Sequence, residues 1–305
     1  MDGGSGRVAA LDVGCFSAHL VVAAPSRSTG LRSLVSHKVR LRLDRSMDDD
    51  GRIDKSGING ISNAVAEIQE RMRGVSLATF LPFATSSVRD ATNADQVITT
   101  VAERTGMQLT VLSGVREARL SYLAARQWLG RTTKPLSVLD VGGGTVELAA
   151  GSEARPEFAF SLPLGARTLS RAGLNSAAGL AEMRADLLDQ LMADLPRAAL
   201  AELGSRPAVG CSKVFNQLAV LAAGGGKPGR LRLEDLTAWI PRLAAMTPRE
   251  RAALPGISRH RAKQSLAGAV IAEALMKATG HESVNVCPWS TTEGVLINLL
   301  RKTAR

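Results

Sequence analysis

The sequence predicts two α/β domains of similar build, and three observations lead there. Apolar runs of strand length alternate with helix-period stretches in both halves of the chain. Residues 137–151 read SVLDVGGGTVELAAG: an apolar run ending in Asp140, three glycines, then an alternating run from Thr145. That is strand, tight turn, strand. Finally, Leu11-Asp12-Val13-Gly14 repeats Leu139-Asp140-Val141-Gly142 letter for letter, with Ser17 falling on Thr145 and Leu20 on Leu148. A repeated hairpin opening each half implies a duplicated architecture, expected as two domains facing each other across a phosphate- or nucleotide-binding cleft.

Glycines at such turns let backbone N–H groups close on an oxyanion. A carboxylate just ahead of them can hold a divalent cation against the same phosphate. A plain hairpin with a glycine-rich tip is the competing reading of either turn alone.

Composition narrows the function classes. The 305 residues suffice for two cores, and 45% hydrophobic with 22% charged residues is ordinary for a soluble globular protein. With only 3% aromatics, base stacking cannot dominate binding, and no specific nucleic-acid partner is expected. A net charge of +10 favours an acidic partner such as polyphosphate or a nucleotide, or only solubilises an arginine-rich surface. Cys15, Cys211 and Cys287 are dispersed, as are His19, His37, His260 and His281, so no disulfide framework or zinc site is expected. The N-terminal stretch lacks a secretory signal's basic start and apolar core, and no apolar run reaches the roughly 18 residues of a membrane span. The expected location is the cytoplasm, with no membrane partner.

Taken in order, residues 7–24 form the first hairpin and 31–43 extend its sheet. Period two puts Lys38, Arg40 and Arg42 on one face and Val39, Leu41 and Leu43 on the other. That basic face is either a track for a polyanion or an edge guarded by charge. A turn at 48–51 precedes a helix over 54–73, where Ile58, Ile61, Val65, Ile68 and Met72 make one buried stripe. Residues 77–84 are a buried strand, followed by small residues and Arg89, where open α/β sheets place ligands. Asn93 caps a helix that stops before Gly106, and 108–112 is a strand. The next helix starts at Ser113 and Gly114, carrying Arg116 and Glu117; a carboxylate there also suits the helix dipole.

After the second hairpin, 161–166 is a strand leading to a turn, with a helix near 180–195. A strand at 207–211 meets Ser212 and Lys213 at a helix start, a phosphate contact or simply an N-cap. The glycine-rich loop 222–229 lacks a P-loop ending. Helices follow near 233–246 and 261–279. The second carries Arg259, Arg261 and Lys263 around its start, against the dipole, which favours an anion there. A strand at 283–287 and a capping box at 290–293 lead to a last helix, 295–300, expected to pack on the first domain.

Chemically, carboxylates in two glycine-containing turns would hold Mg²⁺ between phosphates, Glu117 would activate water, and Arg89 would neutralise phosphoryl oxygens. Six blocks, LDVGCFSAHLVV, PFATSSVRDATN, LSGVREARLSYLAAR, LDVGGGTVEL, SLPLGA and AVGCSKVFNQLA, with PGISRHRA and CPWSTTEGVL behind them, carry a resemblance. The sequence resembles the exopolyphosphatase/guanosine pentaphosphate phosphatase (Ppx/GppA) family, in its short two-domain form. The resemblance implies two actin/sugar-kinase-like (ribonuclease H-like) domains, at 1–119 with 292–305 and at 120–291. It implies Mg²⁺-assisted hydrolysis of terminal phosphate from inorganic polyphosphate, or of the 5′ γ-phosphate of guanosine pentaphosphate in the stringent response. A homodimer goes with it.

By the same resemblance, Asp140 is metal-associated, with Asp12 and Glu147 beside it. Gly142, Gly143, Gly144 and Thr145 form one phosphate loop, Gly14, Cys15 and Ser17 the other, and Ser212 a further phosphate contact. Glu147 is a catalytic-site carboxylate, Glu117 the general base and Arg89 the phosphoryl-binding arginine. Four places depart from the family pattern: Cys15-Phe16 in the first loop, Arg116 beside the base, Cys211, and Thr291-Thr292 before Glu293. They imply an alternative, a polyphosphate- or alarmone-binding paralogue (guanosine penta- or tetraphosphate) with weak hydrolysis. Kinase-type transfer is a third reading.

Overall fold

The computed structural model describes residues 6–130, 134–174 and 176–304; the first five residues of the N-terminal stretch read above lie outside them. Contacts divide the chain into two compact units, Met1–Leu120 with Thr291–Arg305, and Ser121–Ser290.

In the first unit β1 (Val8–Val13), β2 (Ser17–Ala24) and β3 (Arg32–Arg40) lead to α1 (Lys55–Arg71), β4 (Thr79–Ala84), α2 (Ser86–Arg89), α3 (Ala94–Thr105), β5 (Thr110–Val111) and the first turns of α4 (Gly114–Trp128). The sheet order is β3-β2-β1-β4-β5, with the first three strands antiparallel and β1, β4 and β5 parallel. The apolar stripe of α1 does what its spacing predicts. Ile58, Ile61, Val65 and Ile68 are buried in one cluster with Leu11, Val13 and Leu20 of the sheet, while Met72, just past the helix end, is half-buried.

The second unit repeats the plan. It runs β6 (Leu136–Val141), β7 (Val146–Gly151), β8 (Phe158–Leu162), α5 (Ala166–Arg171), α6 (Leu180–Asp194), α7 (Arg197–Gly204), β9 (Ala208–Cys211), α8 (Ser212–Ala222), β10 (Arg230–Arg232), α9 (Leu233–Ala245), α10 (Pro248–Arg251), α11 (Ser265–Ala278) and β11 (Ser283–Val286). Its sheet reads β8-β7-β6-β9-β11-β10: the same three antiparallel strands, the same two parallel ones, and β10 added antiparallel at the edge. The duplication visible in four letters of sequence is therefore a duplication of the ribonuclease H-like sheet. The last helix, α12 (Thr291–Thr303), packs on β1 of the first unit. It lies so close to α4 that a Cβ on Gly294 would sit 2.1 Å from the Leu120 carbonyl oxygen.

Three local readings change. Asn93 stands at the N-cap of α3 but makes no capping bond. Its amide instead brackets Ile53, accepting from the Ile53 N–H at 2.9 Å and donating to the Ile53 carbonyl at 2.9 Å. The helix expected from 261 begins at Ser265, after a 3₁₀ turn at Ala262–Gln264. Arg259, Arg261 and Lys263 therefore precede its first turn, and the dipole argument for an anion there lapses. On β3 the expected alternation holds, with Lys38 and Arg40 exposed and His37 and Val39 half-buried. Arg42 lies beyond the strand end, at φ 60°.

Candidate active site

Both hairpin turns close in the same way. The Gly14 N–H donates to the Ser17 carbonyl at 3.1 Å, and the Gly142 N–H to the Thr145 carbonyl at 2.9 Å. These two amides are thus committed to shaping their loops. In the second loop the carbonyls face backwards. Gly142 O accepts from Ala166 N at 3.0 Å, Gly143 O from Arg167 N at 2.8 Å, and Gly144 O from Gly165 N at 3.1 Å. In a planar trans peptide the N–H of the next residue points opposite to that carbonyl. The amides of Gly143, Gly144 and Thr145 are therefore turned away from α5, an arrangement suited to an anion. A Cβ on Gly143 would meet nothing within 4 Å, so the space beside that residue is open.

In the first loop a short segment plays the part of α5. Cys15 O accepts from Leu43 N at 2.8 Å and Phe16 O from Leu41 N at 3.0 Å. Cys15 and Phe16 are both buried in the unit's core cluster, so the ring that departs from the family pattern is packed inward. Ser17 is half-buried at the start of β2.

The residue that sequence reasoning missed is Gly165. Its ideal Cβ would lie 2.3 Å from the Gly144 carbonyl carbon and 2.4 Å from the Gly143 carbonyl carbon and oxygen. Only glycine allows α5 to reach the loop's carbonyls. The signal was present as Leu-Gly-Ala just ahead of a helix, but its partner lies some twenty residues back.

The carboxylates gather at strand ends. Asp140 and Glu147 are directly paired across β6 and β7, and Glu147 is paired with Ser161 of β8. Residues paired in this way share a face of the sheet. Asp140 Oδ2 accepts from Ser121 Oγ and Ser290 Oγ, both at 2.7 Å, and Glu147 Oε1 accepts from Ser161 Oγ at 3.0 Å. Ser290, expected first as part of a capping box, thus also serves Asp140. Burial raises the Asp140 carboxyl above its ordinary range, opposed by the two serine hydroxyls.

Asp12, the counterpart of Asp140, accepts from Thr292 Oγ1 at 2.9 Å through Oδ2, while its Oδ1 is buried without a partner. Burial is the main cause that lifts its carboxyl to about 6, reinforced by Glu293 and opposed by Thr292 and Lys38. A folded value above the unfolded one means that the folded chain holds the proton more tightly. This contribution to stability is complete below about pH 4 and is lost as pH rises through about 6. In Mg²⁺-free buffer, Asp12→Asn should accordingly gain on the order of 3 kcal/mol relative to the wild type between pH 3 and 7. Denaturant unfolding at both ends of that range measures it, and a pH-independent difference would contradict it.

Arg89 and Glu117 are brought together. The Arg89 guanidinium donates through Nη1 to Glu117 Oε1, to the Leu112 carbonyl at 3.0 Å, and through Nε to Asp90 at 2.7 Å. Burial works against the Arg89 charge, but the Asp90 and Glu117 carboxylates outweigh it and hold the group above its ordinary value. Both residues lie just past the parallel strand ends, where Thr85 N donates to Val13 O and Leu112 N to Ala84 O. Glu117 is buried whereas its neighbour Arg116 is exposed, so the departure at Arg116 does not put a cation in the Glu117 pocket. In the second unit Cys211 is paired with Asp140, and Ser212 follows at φ 83°, a backbone state that costs a non-glycine residue energy. Its Oγ accepts from the Val214 N–H at 3.2 Å.

Among the described residues no three His, Cys, Asp or Glu side chains converge on one point. Within the second unit Asp140 and Glu147 offer hard oxygen donors side by side, of the kind Mg²⁺ takes; within the first, Asp12 has an orphaned buried oxygen. No described helix is long and apolar enough to cross a membrane.

The sequence model of the Ppx/GppA phosphatase family matches residues 21–303, a span that begins just after the first loop. Exopolyphosphatase 1 of Mycobacterium leprae is 38% identical over 307 aligned positions, covering 98% of this chain and 91% of that protein. The crystal structure of an exopolyphosphatase-like protein superposes with a TM-score of 0.85 at 22% identity, over 98% of this chain and 99% of that one. The Aquifex aeolicus Ppx/GppA family member gives 0.80 at 22% identity, over 98% and 99%. Matched along nearly its whole length in sequence and in fold, the chain belongs to the Ppx/GppA phosphatase family.

Proposed function

We propose that the protein is a Mg²⁺-dependent exopolyphosphatase that releases orthophosphate from the end of inorganic polyphosphate. The observation that carries this is the second loop: three amides turned away from α5, with open space at Gly143, beside the paired carboxylates Asp140 and Glu147. Water attacks the terminal phosphorus, the bridging P–O bond breaks, and the chain one phosphate shorter departs. Glu117 takes the water's proton on its carboxylate. Arg89 holds that carboxylate in place and counters phosphoryl charge. Gly143, Gly144 and Thr145 receive the phosphate oxygens, while Gly14 and Gly142 shape the loops; Ser17 and Ser212 stand at the loop margins as further contacts. Mg²⁺, held by Asp140 and Glu147, would supply positive charge against the phosphoryl oxygens.

The relatives named exopolyphosphatase favour polyphosphate over guanosine pentaphosphate. The inward packing of Cys15 and Phe16 favours turnover over mere binding, because the ring leaves the loop uncovered. A cytoplasmic homodimer belongs to the same reading. The test is phosphate release from long-chain polyphosphate and from guanosine pentaphosphate, with Mg²⁺ and with a chelator. Faster Mg²⁺-dependent release from polyphosphate is expected. Preference for the nucleotide would transfer the reading to it, and tight binding without release would support the binding paralogue.

A further inference from the structure

The two units have diverged at the same place in their sheets. In the second unit the row leading from Asp140 toward the edge is Glu147 and then Ser161. In the first, the row leading from Asp12 is His19 and then Lys38, with Ser17 and Arg40 paired one step nearer the loop. Pairing puts Asp12, His19 and Lys38 on one face, and alternation along β2 and β3 adds Ser17 and Arg40 to it. Beyond the shared aspartate, one copy of the repeat is thus acidic and suited to a cation, the other basic and suited to an anion.

Lys38 and Arg40 are exposed. Charge placed only to guard the edge would be expected where the edge is apolar. Yet Leu34 and Val35, 38% and 46% exposed, lie at the other end of the same strand. Arg32 stands at that end, whereas Lys38 and Arg40 lie together at the end nearest the first loop, where Ser17 faces Arg40.

We infer that His19, Lys38 and Arg40 form a subsite for the phosphates of a linear polyanion beyond its terminal one, so that chain length is read along β3. The inference rests on the polyphosphate reading above.

Titration calorimetry of tripolyphosphate and of long-chain polyphosphate tests it without requiring turnover. Arg40→Gln is expected to weaken long-chain binding about fivefold, and Lys38→Gln with Arg40→Gln about twentyfold. Tripolyphosphate should change less than about twofold, and the salt dependence of long-chain binding should flatten by about one for each cation removed. Arg249→Gln, an exposed position on α10, removes the same charge elsewhere and should leave binding unchanged. Unchanged long-chain affinity in the double variant, equal loss for tripolyphosphate, or equal loss in Arg249→Gln would each overturn the subsite. A wild type that binds long chains without releasing phosphate defeats only the hydrolytic reading, since the binding comparison still decides the subsite. A wild type that binds no polyphosphate defeats both.

Discussion

Gly165→Ala is expected to cut turnover by about 100-fold and to melt the second unit several degrees early. The added methyl would lie 2.3 to 2.4 Å from backbone atoms of Gly143 and Gly144. Backbone cannot swing aside as a side chain can, so α5 and the loop must part by about an ångström. Displacement of that size in a site commonly costs about two orders of magnitude in rate. The strain, together with weakening of the hydrogen bonds that the Gly165, Ala166 and Arg167 amides donate to the loop, should cost about 2–4 kcal/mol of stability. Gly143→Ala is the contrast: its Cβ meets nothing, so melting should hold while phosphate affinity falls. Normal turnover in Gly165→Ala would show that the loop's carbonyl anchoring is dispensable.

Glu117→Gln should lower kcat by about 10²–10⁴ while leaving the melting temperature nearly unchanged. Gln keeps an oxygen for the Arg89 hydrogen bond and nearly the same volume, and Asp90 still pairs with Arg89. Alanine would be a poor test, because stripping one partner from a buried ion pair costs about 3–5 kcal/mol by itself. Initial rates and thermal melts on the same preparation separate chemistry from folding. Retained turnover would remove Glu117 from the role of base.

Much of this was legible because it was local or repeated. The Asp-Val-Gly repeat gave the duplicated hairpins, and period-three-and-four apolar spacing gave α1 and its buried face. Alternation along 37–43 placed Lys38 and Arg40 outward. What stayed hidden depends on partners far apart in sequence. Arg89 finds Glu117 28 residues on, Asn93 reaches back 40 residues to Ile53, and Ser290 reaches Asp140 across 150. No local pattern encodes such pairings. The start of α11 slipped for a different reason: a 3₁₀ turn carries nearly the same sequence signal as the helix it precedes. The opposite chemistry of the two rows, His19 and Lys38 against Glu147 and Ser161, emerges only once strand register aligns them.

Everything proposed for catalysis reduces to water attacking the last phosphorus of the chain. Turnover of long-chain polyphosphate in ¹⁸O-labelled water, followed by mass spectrometry of the released orthophosphate, reads this directly. One labelled oxygen in each orthophosphate released is the predicted result. Unlabelled orthophosphate, with the label retained on the shortened chain, would place attack on the wrong phosphorus and contradict the account.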